Sequence, residues 1–215
     1  GNLWIGTLGY GLYKMYSAKK SFQAGAQGRS IAGVWRDPQG RYYGKTFSTL
    51  ISFYDPASGI LDSKSAFPDA GKNQECLVFD KSANTWLLCS GDVLTAKGTI
   101  RVYDPQLRFI REYPLDDKLS HREQMLFGRD GNLWIALGSC KLIRLDPASG
   151  RQELFNYAHL FGDNTTAVRV TAMTEDSKGL LWLGTQLGLV KCTLGASEPD
   201  FQLIQADAKN PDRKS

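Results

Sequence analysis

The sequence is poor in the residues that most often build catalytic and metal centres. Its 215 residues include only two histidines, and none of its four cysteines forms a C-x-x-C pair. Because no metal-ligand spacing is present, we expect neither a metal ion nor a cofactor. The net charge is only +4 with scattered lysines and arginines, which argues against a nucleic-acid partner. No apolar run reaches the ~18 residues that span a membrane, and no signal peptide opens the chain.

What the sequence does contain is a repeated motif built around one large aromatic residue. The motif is clearest in residues 1–7, 131–136 and 179–185, and weaker copies occupy residues 40–46 and 83–89. The spacings between the aromatic residues are 39, 43, 48 and 48, which indicates a repeat architecture. We expect these residues to form the core rather than a ligand pocket. The anchor residues of the repeats are Trp4, Tyr43, Trp86, Trp134 and Trp182.

The same pattern surrounds each anchor residue. An apolar run precedes a tight turn that often has Asp at its start and Gly at its end, as in residues 37–40 and 176–179. The anchor strand follows this turn, and a short connection leads to a third strand. A second turn and a more polar fourth strand close the unit. The pattern therefore predicts four short antiparallel strands per unit, with anchor strands apolar on both faces.

Units of this kind, repeated at this period, are typical of a β-propeller. We expect an all-β fold with an arc of about five four-stranded blades. A β-sandwich and a closed barrel are the alternatives, but neither explains why the same two turns recur in order. A polar tail or the start of the next connector follows at 205–215. The predicted blades are residues 1–26, 30–67, 74–113, 123–157 and 168–204.

The first predicted blade is incomplete. Gly1 already occupies the position of the turn glycine, so no strand precedes the first anchor strand. The polar tail holds no strand that could complete this blade. Propellers close with about four to eight blades. We therefore expect a fragment of a larger ring rather than a closed five-bladed ring.

Three segments resemble the two-component regulator propeller repeat. They are residues 1–14, 129–150 and 175–190, the last reading EDSKGLLWLGTQLGLV. The two middle repeats depart from the family pattern, because Tyr43 replaces tryptophan and Ala83 replaces the turn glycine. The resemblance implies the periplasmic sensor domain of a bacterial hybrid sensor histidine kinase. The kinase would lie outside this chain, so we expect no enzymatic activity here.

The resemblance also implies partners. They are a small-molecule or oligosaccharide ligand, the remaining blades, and the downstream signalling domains of the same polypeptide. A homodimer of the full-length protein is a further expectation.

Strand parity sorts the loops onto two faces of the predicted propeller. The regular Asp turns fall on one face, and the irregular loops and both histidines fall on the other. Functional residues favour irregular loops on a rigid scaffold, and polar and aromatic side chains there suit a small polar ligand. We expect the loops to hold the aromatic residues near the surface. The candidate ligand-binding residues are Tyr10, Phe47, Asp92, His121, Arg122, His159, Phe161, Asp163 and Asn164.

Two other functions compete with a ligand sensor. One is an enzyme similar to streptogramin lyase, which uses loop histidines and a divalent ion. His121 and His159 in consecutive connectors favour it, but a general base also needs a positioned partner, and the neighbouring acidic residues are close only in sequence. The other alternative is a protein-interaction scaffold, a common use of propellers.

Cys76 and Cys89 flank the first turn of the third blade, and the turn length decides whether they meet. A three-residue loop, as in the other blades, pairs Asp80 with Asn84 and places the two thiols on opposite faces of the sheet. Ala83 replaces the turn glycine, however, and Ala resists positive φ. A four-residue loop would pair Asp80 with Thr85, placing Cys76 opposite Cys89 within disulfide range. For Cys140 and Cys192 we expect buried, apolar thiols.

Overall fold

The structure is a computed structural model. It describes residues 3–7, 11–16, 21–25, 31–46, 50–71, 73–91, 97–118, 124–195 and 198–205. The chain divides into two compact units. The first comprises residues 1–95 and 99–112, and the second comprises residues 96–98 and 113–215. No helix among the described residues is long and apolar enough to cross a membrane.

Five antiparallel sheets account for the described strands. In each sheet the strands follow one another in chain order, as in a meander. The first sheet has three strands, and the other four have four strands each. The described chain thus contains four complete blades, not five. The three-stranded sheet is the incomplete first blade that the sequence predicts.

The first unit contains most of the first three sheets. Blade 1 consists of β1 (Leu3–Thr7), β2 (Gly11–Tyr16) and β3 (Ser21–Gly25). Blade 2 consists of β4 (Ile31–Arg36), β5 (Tyr42–Thr46), β6 (Ile51–Asp55) and β7 (Ile60–Leu61), followed by a 3₁₀ helix at Pro68–Ala70. Blade 3 consists of β8 (Gln74–Asp80), β9 (Thr85–Gly91), β10 (Lys97–Tyr103) and β11 (Phe109–Lys118).

The second unit contains the last two sheets and the connector between them. Blade 4 consists of β12 (Gln124–Phe127), β13 (Leu133–Leu137), β14 (Lys141–Leu145) and β15 (Gln152–Asn156). The connector folds into two 3₁₀ helices, Ala158–Leu160 and Gly162–Ala167. Blade 5 consists of β16 (Val170–Glu175), β17 (Leu181–Thr185), β18 (Gly188–Thr193) and β19 (Asp200–Ile204).

The first turns of blades 2, 4 and 5 contain the expected three-residue loop. In blade 5 the backbone N–H of Asp176 donates to Leu180 O at 2.9 Å, and that of Gly179 donates to Asp176 O at 3.1 Å. Gly179 has a φ of 79°, which glycine adopts without steric cost. Hydrogen bonds from the Trp182 indole and from backbone N–H groups lower the pKa of Asp176. The Asp and Gly of this turn therefore have the roles expected from the sequence.

The first turn of blade 3 is one residue longer. Asp80 pairs with Thr85, so the loop has four residues, and its left-handed position is Asn84 with a φ of 53°. Trp86 follows the closing residue of the turn directly, whereas Trp182 stands two positions after Leu180. Because neighbouring residues of a strand face opposite sides, Trp86 lies on the face of its sheet opposite to the one that Tyr43, Trp134 and Trp182 occupy in theirs.

In the four complete blades, the expected equivalence of the anchor residues is therefore correct for the strand and wrong for the face at one position. Tyr43, Trp86, Trp134 and Trp182 each lie in the second strand of a four-stranded sheet. By register, the fully buried Leu87 occupies the position in blade 3 that Trp182 has in blade 5. The extra turn residue accounts for this difference.

Apolar faces of adjacent blades pack against each other inside each unit. In the second unit, Trp134 and Leu142 of blade 4 join Leu183 and Val190 of blade 5 in one cluster. Trp134 is fully buried, as expected for a core residue. In the first unit, Tyr43 of blade 2 meets Trp86 of blade 3 edge to face, with ring centroids 5.0 Å apart. Each cluster is the interface between two blades.

Candidate functional site

The irregular loops of the second unit meet along one edge of blades 4 and 5. We call this the connector edge and define it as loop 138–140, connector 157–169 and loop 186–187. The Tyr157 N–H donates to Cys140 O at 2.9 Å, and the Arg169 N–H donates to Gln186 Oε1 at 2.8 Å. These bonds fix the connector to both neighbouring loops. The Asp turn at 176–180 lies at the opposite end of strands β16 and β17, as strand parity requires.

The connector edge carries backbone strain. Ser139 and Cys140 have φ values of 58° and 60°, in the left-handed region that non-glycine residues rarely adopt. The Cys140 side chain is fully buried, and its thiol lies 3.8 Å from Thr165 O. Strained non-glycine residues persist only where their surroundings hold them, and they cluster at functional sites. The strained turn is therefore a second feature of this edge that is typical of functional sites.

Two of the predicted ligand-binding residues are exposed on the connector edge. His159 lies in the first 3₁₀ helix and Asp163 in the second. Arg169, which the sequence did not single out, is also exposed at the end of the connector. Leu187 in the adjacent loop is 37% exposed. The edge thus offers an imidazole, a carboxylate, a guanidinium and one apolar side chain to solvent.

Phe161 does not have the expected surface position. Its side chain is only 7% exposed and belongs to the core cluster between blades 4 and 5. Its ring lies edge to face with Tyr157 at a centroid distance of 6.4 Å. Phe161 lies between the two 3₁₀ helices of the connector, and burial of its apolar ring stabilises the connector. Phe161 is therefore a core residue that anchors the connector.

Five other candidates lie outside the described residues, and of a sixth only the backbone is described. The five are Tyr10, Phe47, Asp92, His121 and Arg122, and the sixth is Asn164. Because His121 is among them, the described residues do not bring the two histidines of the lyase alternative together. No group of three or more His, Cys, Asp or Glu side chains suited to a metal ion occurs within the described ranges.

A polar cavity of about 210 Å³ lies at the other edge of blade 4, near its Asp turns. Arg144 and Glu153 face each other across strands β14 and β15 and form an ion pair, and Arg151 reaches the same carboxylate at 2.7 Å. The Arg144 guanidinium also lies over the Trp134 ring at 5.6 Å, a cation–π contact. The cavity is lined by Asn132, Arg144, Asp146, Arg151 and Glu153.

Sequence reasoning missed this cavity because it placed all irregular features on the opposite edge. Once the strand register is known, a recurring row across the strands marks the cavity. Blade 4 aligns Trp134, Arg144 and Glu153. Blade 5 aligns Trp182, Lys191 and Gln202 in the same order. An aromatic residue, a cation and a polar acceptor thus stand side by side in both blades.

Four-stranded meanders that stack through apolar faces are the blades of a β-propeller. The class of the fold is therefore settled by the described sheets. Residues 166–186 match the family model described as "Two component regulator propeller". This segment contains the Asp176 turn and the Trp182 strand, so the resemblance is confirmed at the repeat where the sequence showed it most clearly.

Solved structures with a similar fold include two extracellular domains from B. thetaiotaomicron. One is assigned to the hybrid two component system BT3049, with a TM-score of 0.68, 17% identity, and coverage of 95% of this chain and 27% of that chain. The other is assigned to the one component system BT4673, with a TM-score of 0.65, 16% identity, and coverage of 96% and 30%. At these identities the likeness concerns the fold.

A third similar structure is PorZ, a surface component of the type-IX secretion system of Porphyromonas gingivalis. Its TM-score is 0.57 with 14% identity, and the match covers 97% of this chain and 33% of that chain. The chain therefore spans about a third or less of each of these three proteins. No curated protein matches the chain by sequence.

Proposed function

We propose that the chain is part of the extracytoplasmic, periplasmic sensor domain of a bacterial two-component signalling protein. The observation that carries this proposal is the match of residues 166–186 to the two-component regulator propeller repeat. The likeness in fold to extracellular domains of two-component and one-component systems supports it. In this role the chain binds a ligand and transmits the binding signal. The kinase chemistry belongs to other domains of the polypeptide.

The blades form part of a larger ring in this proposal. Trp134 of blade 4 is fully buried beneath blade 5, whereas the equivalent Trp182 of blade 5 is partly exposed. On the same face of blade 5, Leu189 and Ile204 are 39% and 46% exposed, whereas Leu142, the equivalent of Leu189 in blade 4, is fully buried. A further blade packed on this face would continue the interface that blades 4 and 5 already form.

The ligand that suits the connector edge is small and polar, such as an oligosaccharide. His159, Asp163 and Arg169 are exposed there and offer hydrogen-bond donors and acceptors of both charges. The hydrogen bonds and strained turn that hold the connector provide the rigid support that a binding site requires. With Phe161 in the core, hydrogen bonding rather than stacking on that ring would select the ligand.

Isothermal titration of the chain tests this proposal. The probes are neutral cello-, xylo- and manno-oligosaccharides and acidic oligogalacturonates. We expect at least one class to bind, and we expect His159→Ala and Asp163→Ala to weaken its binding about tenfold each, the effect of losing ~1.4 kcal/mol of binding free energy. Lys178→Ala is the matched control, because Lys178 is exposed on the Asp turn at the opposite edge of blade 5.

The outcomes separate two sites. Binding that survives both connector variants but is lost in Arg151→Ala would place the ligand in the cavity of blade 4 and overturn the connector edge as the site. Binding of no probe in the panel would contradict the proposed ligand class.

A further inference from the structure

Cys76 and Cys89 lie directly opposite each other on neighbouring strands. They are register partners in β8 and β9, so their side chains share one face of the sheet. Opposed Cα atoms in an antiparallel ladder lie about 4.5–5.5 Å apart. A disulfide bridges Cα atoms about 4.4–6.8 Å apart. Both are free thiols in the structure, and ladder geometry predicts a Cα separation for this register pair that a disulfide can span.

The hairpin around them fixes this register. The four-residue loop closes on the pair Asp80 and Thr85, and its end position is set by the left-handed Asn84. Phe79 and Trp86 pair next to the loop, with ring centroids 4.9 Å apart. A slip of one residue would move these rings to the other face of the sheet. The packing of the hairpin thus keeps the two sulfurs on the same side.

The other two cysteines have different surroundings. Cys140 and Cys192 lie in different blades, and both are fully buried. Burial raises the pKa of Cys192 to about 12 and also raises that of Cys140. The reactive thiolate form is therefore scarce at neutral pH. During folding, Cys140 and Cys192 are not brought together as register partners, because they lie in different blades, so we expect both to remain thiols.

We propose that Cys76 and Cys89 form a cross-strand disulfide when the chain folds in an oxidising compartment. The compartment rests on the proposed extracytoplasmic placement. One cysteine thiolate attacks the disulfide of a thiol–disulfide oxidoreductase, and the second displaces it from the mixed disulfide. The two electrons and two protons of the cysteine pair end on the oxidoreductase, whose disulfide becomes a dithiol. No other oxidant is needed.

The bond forms during folding rather than after it. Cys76 is 6% exposed and Cys89 is fully buried in the folded blade, so an oxidant reaches them poorly. In the unfolded or partly folded chain both thiols are accessible. The pair should therefore be oxidised when the oxidant is present during folding. It should stay reduced when the oxidant is added after folding.

The test uses the full chain refolded in a buffer of reduced and oxidised glutathione, which makes it independent of where the protein resides in the cell. The product is alkylated in denaturant and digested with trypsin without reductant. Cleavage after Lys72, Lys81 and Lys97 places the two cysteines on peptides 73–81 and 82–97, while Cys140 and Cys192 fall on separate peptides.

We expect peptides 73–81 and 82–97 to be joined, with Cys140 and Cys192 alkylated. We also expect the denaturant midpoint of the refolded chain to fall on addition of reductant. Cys89→Ser should have three alkylated thiols and a midpoint that reductant does not change. Chain folded in reductant and only then exposed to oxidised glutathione should keep all four thiols.

Two results would overturn the proposal. One is refolded chain with native circular dichroism and four alkylated thiols. The other is a disulfide that joins Cys76 or Cys89 to Cys140 or Cys192. Neither result would bear on the sensor function, which the oligosaccharide titration tests separately.

Discussion

Asp in the first turn holds the polar tip of the anchor aromatic residue in three of the four complete blades. The Trp182 indole N–H donates to Asp176 at 2.9 Å, and the Tyr43 hydroxyl donates to Asp37 at 3.1 Å. Trp134 makes a longer bond of 3.4 Å to Asp130. Because a buried N–H or O–H without a partner costs about 1–3 kcal/mol, this Asp lets a large ring be buried at low cost.

In blade 3 the longer first turn removes this contact between Asp and the anchor residue. The Asp80 carboxylate accepts hydrogen bonds from Ser82 and Ala83 in its longer loop. The Nε1 of Trp86 is buried and has no hydrogen-bond partner among the described residues. The same change that moves Trp86 to the other face of the sheet thus separates its indole from the turn.

Replacing the two equivalent tryptophans should have different effects on stability. Trp134→Ala should lower the free energy of unfolding by about 3–5 kcal/mol, because it removes a fully buried aromatic side chain. Trp182→Ala should cost about 1–2 kcal/mol, because part of its ring is in water before and after unfolding. Denaturant melts of both variants measure the difference. Equal costs would contradict the assignment of one covered and one open face.

At the scale of the element, turn length decides which way a strand faces. The third-to-fourth turns of blades 2 and 4 are four-residue loops that end in Gly59 and Gly150, both with positive φ. The blade 3 loop has the same length, with Asn84 at the corresponding end. Asn tolerates the left-handed region better than other non-glycine residues. The segment Asp80–Asn84 thus resembles Asp55–Gly59 more closely than it resembles the other first turns.

Substitutions at positions 83 and 84 test this turn assignment. Asn84→Ala should lower the free energy of unfolding by about 1–2 kcal/mol, since Ala pays the left-handed penalty that Asn relieves. Asn84→Gly should be neutral or stabilising. The matched change Ala83→Gly should be slightly destabilising, because position 83 does not need positive φ. A stabilising Ala83→Gly with a neutral Asn84→Ala would instead indicate the three-residue loop.

The strands and blades could be predicted because their signals are local and repeated. Anchor residues, Asp-Gly turns and Asp-Pro turns recur at one period, so an error in one copy is corrected by the others. The register of blade 3 could not be decided this way, since its turn departs from the pattern at Ala83.

The burial of Phe161 could not be predicted for a different reason. Its burial depends on a gap between two blades, and position in a loop does not indicate which side chains fill such a gap.

The ligand site was less predictable than the fold. Strand parity correctly placed His159 and Asp163 at the edge opposite the Asp turns. The polar cavity of blade 4 depends on an ion pair between Arg144 and Glu153 across two strands. Arg151 binds the same Glu153 carboxylate. Side chains that alternate along a polar strand give no sign of such a pairing unless the register is known.

At the scale of the molecule, the second unit is asymmetric, because only one face of blade 5 is covered in the described part of the chain. One face of blade 5 packs against blade 4, while its other face leaves Leu189 and Ile204 partly exposed. An exposed apolar face of this kind indicates an interaction site or a risk of aggregation. The chain alone should therefore associate more readily than a longer protein in which this face is covered.

Hydroxyl-radical footprinting with mass spectrometry tests the central claim most directly. Trypsin places Trp134 on peptide 130–141 and Trp182 on peptide 179–191, so both indoles are followed in the unmodified sequence. In the 215-residue chain we expect Trp182 to be oxidised and Trp134 to be protected. In the whole protein that contains these residues, Trp182 should become as protected as Trp134. Oxidation of Trp182 to the same extent in both would contradict the claim that a further blade covers this face.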